Sequence, residues 1–194
     1  MRRLISKDEL DHIIQEHQRW LHGRGGSCAD LSETDLSQAD LSWTDLRMAR
    51  FQRADLSGSA LLRCDLRGAD LRHCRMGNAD LVWTNLMGAD LRFVDLGHAD
   101  LFESELSGAN FSMADLRWAN LSRVHAQGTL FLSTLFYHTD LRRADLRDAK
   151  LQGANITGAK LNGAELQGAD LSRVILWGSV AAPALSRPPA LTDV

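Results

Sequence analysis

The residues best suited to chemistry in this sequence are carboxylates at regular spacing. Asp35, Asp55, Asp95 and Asp115 stand at multiples of 20 residues from one another, so a fold that closes a turn in 20 residues aligns them in a column. Paired carboxylates do general acid–base work when one unique pair shares a cleft. Here the acidic position recurs along the whole chain, which marks a demand of the repeat and singles out no pair. His98 and His138 share a column but lie two turns, about 10 Å, apart, too far to bind one metal ion. Cys28, Cys64 and Cys74 match no CxxC spacing, and an odd number gives no disulfide framework. Cys64 and Cys74 take compact inward positions, where a thiol behaves as a core side chain. No Gly-rich phosphate loop joins a strand to a helix. These residues point to no catalytic site, no metal and no cofactor.

The element that positions them is a short repeat. From Ala29 to Leu176 a period of 5 residues runs without insertion, with Leu, Phe, Met or Ile at nearly every centre: Leu31, Leu36, Leu41, Leu46, Phe51, onward to Leu176. Two positions before each centre the residue is small or compact, as in Ala29, Thr34, Ala39, Ser59 and Cys64. A helix cannot use this pattern, because a five-residue step turns about 140° beyond a full revolution and no apolar stripe forms. A short strand places residues two apart on one face, so the small residue and the centre point inward together and the other three face solvent or turn a corner. Gly68, Gly88, Gly108 and Gly128 recur every 20 residues, as do Phe111 and Phe131. Such a column suggests one corner type that wants a positive φ, and four sides to each turn.

Units such as ADLSG at 54–58, GADLR at 68–72 and GANIT at 153–157 resemble the repeats of the pentapeptide repeat family. The resemblance covers roughly three quarters of the chain. It implies an all-β fold, a right-handed quadrilateral β-helix, with Leu or Phe stacked on the axis. About thirty units give seven to eight turns, a rod roughly 36 Å long. Some members, in quinolone resistance and toxin immunity, protect DNA gyrase with a rod that resembles DNA.

A solenoid needs caps at its ends. Ser6 with Glu9 forms a capping box, Leu10, Ile13, Ile14, His17 and Leu21 follow helical spacing, and Gly23 closes the segment. The spacing predicts a capping helix at about 6–22 within an N-terminal segment 1–28, a solenoid over 29–179 and a Pro-containing tail over 180–194, whose three prolines preclude a long helix.

With 22 Lys and Arg against 25 Asp and Glu among 194 residues, no global field favours nucleic acid or a membrane surface. Nor is there a run of about 18 apolar residues or a signal-type stretch, so a soluble, cytoplasmic protein is expected. Charge falls in bands, acidic over 30–45, mainly Arg over 47–75, mainly acidic over 78–115 and mainly basic over 117–150, with Asp and Arg on adjacent coils expected to pair. A DNA mimic is negative along its length, and Arg47, Arg50, Arg53, Arg63, Arg67, Arg72 and Arg75 interrupt any such line. Two groups of outward apolar residues stand out. One comprises Leu130, Leu132, Leu135 and Tyr137, beside Met113 and Trp118 of the preceding coil; their centres Phe131 and Phe136 keep the register, and only Ala126 weakens the core. The other is Trp43, Leu62, Val82, Trp83 and Phe102 on one side, with Arg63 between the Trp rings. Exposed patches of this kind mark interfaces. The expectation is a non-catalytic scaffold that binds a protein partner or forms a homodimer through these surfaces, with gyrase protection as the alternative.

Overall fold

The computed structural model describes residues 2–177. A unit with an outward acid or amide directs its backbone donors in a fixed way. In the unit from Ala29 to Glu33, the outward Asp30 accepts the N–H of Ser32 through Oδ1 at 3.1 Å. The centre Leu31 donates to Arg50 O in the next turn at 2.7 Å, and Glu33 N donates to Gln52 O at 2.8 Å. An outward N–H reaches back one turn, as Arg50 N does to Ala29 O at 3.0 Å, and each small residue closes a corner on the preceding centre, as Ala39 N does on Leu36 O at 3.0 Å. Buried donors are thereby satisfied, which is the condition for burying backbone; the corner N–H held by the outward side chain lacks this acceptor in the units where that residue is not an acid or amide.

Parallel bridges join residues 20 apart, from Asp30 with Arg50 to Asn155 with Ile175. The coil therefore has four sides, called I to IV from their first outward residues Asp30, Asp35, Asp40 and Asp45. Centres from Leu31 to Leu161 are at most 3% exposed. Each buried Leu contributes about 1.5–3 kcal/mol, so the stacked centres are the main source of stability. Inward Thr and Ser at several small positions bond carbonyls of the previous turn: Thr134 Oγ1 donates to Phe111 O at 2.7 Å and Thr139 Oγ1 to Leu116 O at 2.6 Å.

Two expectations are corrected. The glycine column is not a special corner, because all four corners have a positive φ at their second residue, and Trp43 (63°), Trp83 (56°) and Phe93 (60°) adopt it as Gly88 (64°) does. A bulky residue there costs about 1–2 kcal/mol, which the lattice of inter-turn bonds overcomes. Nor does Ala126 weaken the core. The same turn carries Phe131 and Phe136, whose rings meet edge to face at 5.1 Å, and Phe131 also touches Phe111 at 5.4 Å. A small centre beside two large ones conserves the volume of the layer.

The N-terminal segment completes the first turn. Helix α1 spans Lys7–Leu21, with Ser6 Oγ accepting Glu9 N. It packs Leu10 and, in part, Ile13 and Ile14 on the core. Strand β1, Arg3–Leu4, which the periodicity did not suggest, pairs in parallel with β2, Thr34–Asp35. Side chains of α1 take the place of the missing previous turn. Gln18 Nε2 donates to Asp45 O at 2.7 Å, as a centre N–H would, and His17 Nδ1 accepts Ala29 N at 3.0 Å, as a centre carbonyl would. His17 is buried, and its Nε2 has no partner among the described residues. The expected tail at 180–194 lies outside the described residues.

Burial lowers the His17 pKa below its ordinary 6.5, the opposing field of Asp45 notwithstanding. The folded protein therefore binds fewer protons than the unfolded chain, and this contribution is complete above about pH 6.5 and is lost as pH falls through the lowered value. Protonation sets an N–H against that of Ala29. We expect the melting temperature of the protein to fall between about pH 7 and pH 5 by more than that of His17→Gln; equal slopes would remove His17 from the cap's pH dependence.

Candidate interaction surfaces

Outward Asp residues act first on the backbone. Where Arg follows two residues later, its guanidinium closes on the same carboxylate: Asp45–Arg47, Asp65–Arg67, Asp70–Arg72, Asp90–Arg92, Asp115–Arg117, Asp140–Arg142 and Asp145–Arg147 pair at 2.6–2.7 Å. This corrects the expectation of pairing mainly between coils, since the inter-coil contacts are longer, from Arg75–Asp55 at 3.1 Å to Arg50–Asp30 at 3.9 Å. Geometry decides it: the Asp that caps the corner already points at the residue two ahead. The Arg72 and Gln52 side chains hold the Asp70 pKa down at about 2. Desolvation pushes the buried Cys74 thiol up to about 12 and the Cys64 thiol higher still. Among the described residues no group of three or more His, Cys, Asp or Glu could hold a metal ion.

Leu130, Leu132, Leu135 and Tyr137 lie on one turn across sides I and II. Leu132, Leu135 and Tyr137 are 37–40% exposed and Leu130 is half-buried. Met113 and Trp118 of the preceding turn are exposed beside them. Trp118 stacks on His138 at 4.3 Å and meets Tyr137 edge-on at 6.0 Å, and His98 lies on its other face at 6.3 Å. His138 in turn lies over Gly158, where its ring fills the place of a side chain. Phe93 extends the patch one turn further in the corner column of Met113 and stacks on His73 at 4.7 Å. Sequence reasoning missed Phe93 and His138, although reading the corner positions at intervals of 20 reveals both.

Trp43, Arg63 and Trp83 form one corner column of side III. The Arg63 guanidinium lies 4.7 Å from the Trp43 ring and 4.4 Å from the Trp83 ring. Trp83 Nε1 donates to Glu103 at 2.9 Å, and Arg123 donates to Glu103 at 3.1 Å. Trp43 and Trp83 are exposed, whereas Leu62, Val82 and Phe102 are half-buried beside the column. Much of this group thus staples successive turns, and side I–II presents the more continuous apolar surface.

The geometry defines a four-sided β-solenoid with a helical N-terminal cap. A profile of the Pentapeptide repeats family matches residues 27–123 in overlapping segments and 138–178. The chain belongs to the pentapeptide repeat family, and its fold is the family's right-handed quadrilateral β-helix. The solved structure of QnrB1, a plasmid-mediated fluoroquinolone resistance protein, is similar at 27% identity over 76% of this chain and 79% of that one, with a TM-score of 0.59. HetL, a pentapeptide repeat protein involved in heterocyst differentiation regulation from the cyanobacterium Nostoc sp. strain PCC 7120, shares 27% identity over 90% of this chain and 94% of its own, with a TM-score of 0.38. No curated protein matches the chain. The matched segments leave out residues 124–137, the turn that carries the apolar band.

Proposed function

We propose that this protein is a non-catalytic, cytoplasmic interaction scaffold that binds another protein, or a second copy of itself, through the apolar band on sides I and II. One observation carries the reading. Outward positions are Asp, Glu or Asn in most units, but His125, Leu130 and Leu135 replace them in three successive units, and no other two neighbours lack an acid or amide. Leu132 N and Tyr137 N thereby lose the side-chain acceptor that caps most other corners. Each such bond is worth about 0.5–1.5 kcal/mol, less where water replaces it. The band gives up these contacts while its centres stay buried, as expected of a surface kept for a partner. Its carboxylates elsewhere are occupied with corners and Arg neighbours, which supports a binding role over a catalytic one.

The test is affinity capture from the native host with the protein and with Leu132→Ser/Leu135→Ser/Tyr137→Ser, folding being checked by circular dichroism. Specific partners should fall at least about tenfold in recovery, the effect of losing about 1.4 kcal/mol. An unchanged set of partners contradicts this surface.

A second reading, topoisomerase protection, is favoured by the likeness to QnrB1. Charge weighs against it, because seven outward Asp are neutralised by Arg in their own units and the rod is not negative along its length. We expect no rescue of gyrase supercoiling from a fluoroquinolone at micromolar protein; rescue would replace the first reading with this one.

A further inference from the structure

Side III separates its charge into two halves. Its outward and corner positions from 40 to 103 carry Asp40, Asp80, Asp100 and Glu103 against Arg63 alone. From 120 to 163 they carry Arg123, Arg142, Arg143 and Lys160 against Asp140 alone. The other sides do not divide in this way: on side IV, Arg47, Arg67 and Arg147 stand toward both ends, each paired with the Asp of its own unit, and on side I Asp70–Arg72 and Asp90–Arg92 pair within two successive units. Within side III Arg142 closes on Asp140 and Arg123 on Glu103, whereas Arg143 and Lys160 are exposed and take part in no ion pair among the described residues. Near the join, half-buried Val82 and Phe102 sit beside exposed Trp83.

We infer that side III is a self-complementary face on which a second copy of this chain docks antiparallel. Successive rungs are about 4.8 Å apart on both copies, so their side chains keep step along the contact. A two-fold axis between the Phe102 and Ser122 rungs sets the rung of Asp100 and Glu103 of one copy opposite that of Arg123 of the other, and the rung of Asp80 opposite that of Arg142 and Arg143; the Lys160 rung meets that of Arg63, one like-charged pairing against two attractive ones. Symmetry repeats the same contacts in reverse, as an isologous interface requires. Parallel docking in register instead sets like charges together, so the charge pattern selects the orientation. The two Phe102 side chains and their Val82 and Trp83 neighbours supply the apolar centre, and the charges set register and association rate. This face is a different one from the apolar band of sides I and II, and the proposal goes beyond the reading above.

Sedimentation equilibrium of the full chain, from about 1 to 300 μM, tests it. A monomer–dimer equilibrium is expected, with a Kd that rises at least about tenfold between about 50 and 500 mM NaCl. Arg123→Glu/Arg143→Glu should raise Kd by a further hundredfold or so at low salt. Mixed with Asp80→Lys/Glu103→Lys, that variant should form a heterodimer, since the substituted positions of the two then carry opposite signs on facing rungs; circular dichroism verifies both folds. A monomer throughout the low-salt range overturns the proposal, as does a Kd unmoved by Arg123→Glu/Arg143→Glu. A dimer lost only with Leu132→Ser/Leu135→Ser/Tyr137→Ser places self-association on sides I and II and overturns it equally.

Discussion

The N–H of each centre from Leu31 to Ile156 bonds a carbonyl 19 residues ahead, and the rest of the molecule depends on that contact. It fixes the turn at 20 residues, stacks the centres on the axis and holds every corner at a positive φ whatever side chain stands there. A single unit has no partner for these donors and no neighbour for its centre, so stability belongs to the stack. The same constraint explains the N-terminus. The first turn has no predecessor, and β1, Gln18 and His17 supply to it the hydrogen bonds that a preceding turn would make.

Because the backbone and two inward positions carry the fold, three positions of every five are free to change. Most are used for local closure, the Asp that accepts a corner N–H and the Arg that neutralises it. Where they are not, as at Leu130 and Leu135, the rod keeps its form and acquires a surface. Function in such a molecule is written in outward columns spaced by 20 residues, and neighbours in the sequence are less informative than neighbours one turn apart.

The solenoid was legible in the sequence because its period of 5 admits no helix and its columns repeat at 20. The cap was legible through Ser6, Glu9 and the spacing of Leu10, Ile13 and His17. Three features were not. Positive φ at Trp43 or Phe93 contradicts local preference and arises from the lattice of inter-turn bonds. The balance of Ala126 by Phe131 and Phe136 depends on which centres share a layer. Closure of Arg on the Asp two residues before it depends on the direction the corner gives that carboxylate. Of the surfaces, the apolar residues at 130–137 were visible as departures from the repeat, whereas His138 and Phe93 join them only across turns.

The central claim is that the turn carrying 124–137 alters the outside of the rod and leaves its frame intact. Native-state hydrogen exchange addresses this directly, since local opening of one turn shows as loss of protection there. The amides of Leu130, Phe131, Leu135 and Phe136, all bonded between turns, should exchange within about tenfold of those of Asn110, Phe111, Asp115 and Leu116 one turn earlier. Exchange at the former set faster by a hundredfold or more would show a break in the stack, and would contradict the account.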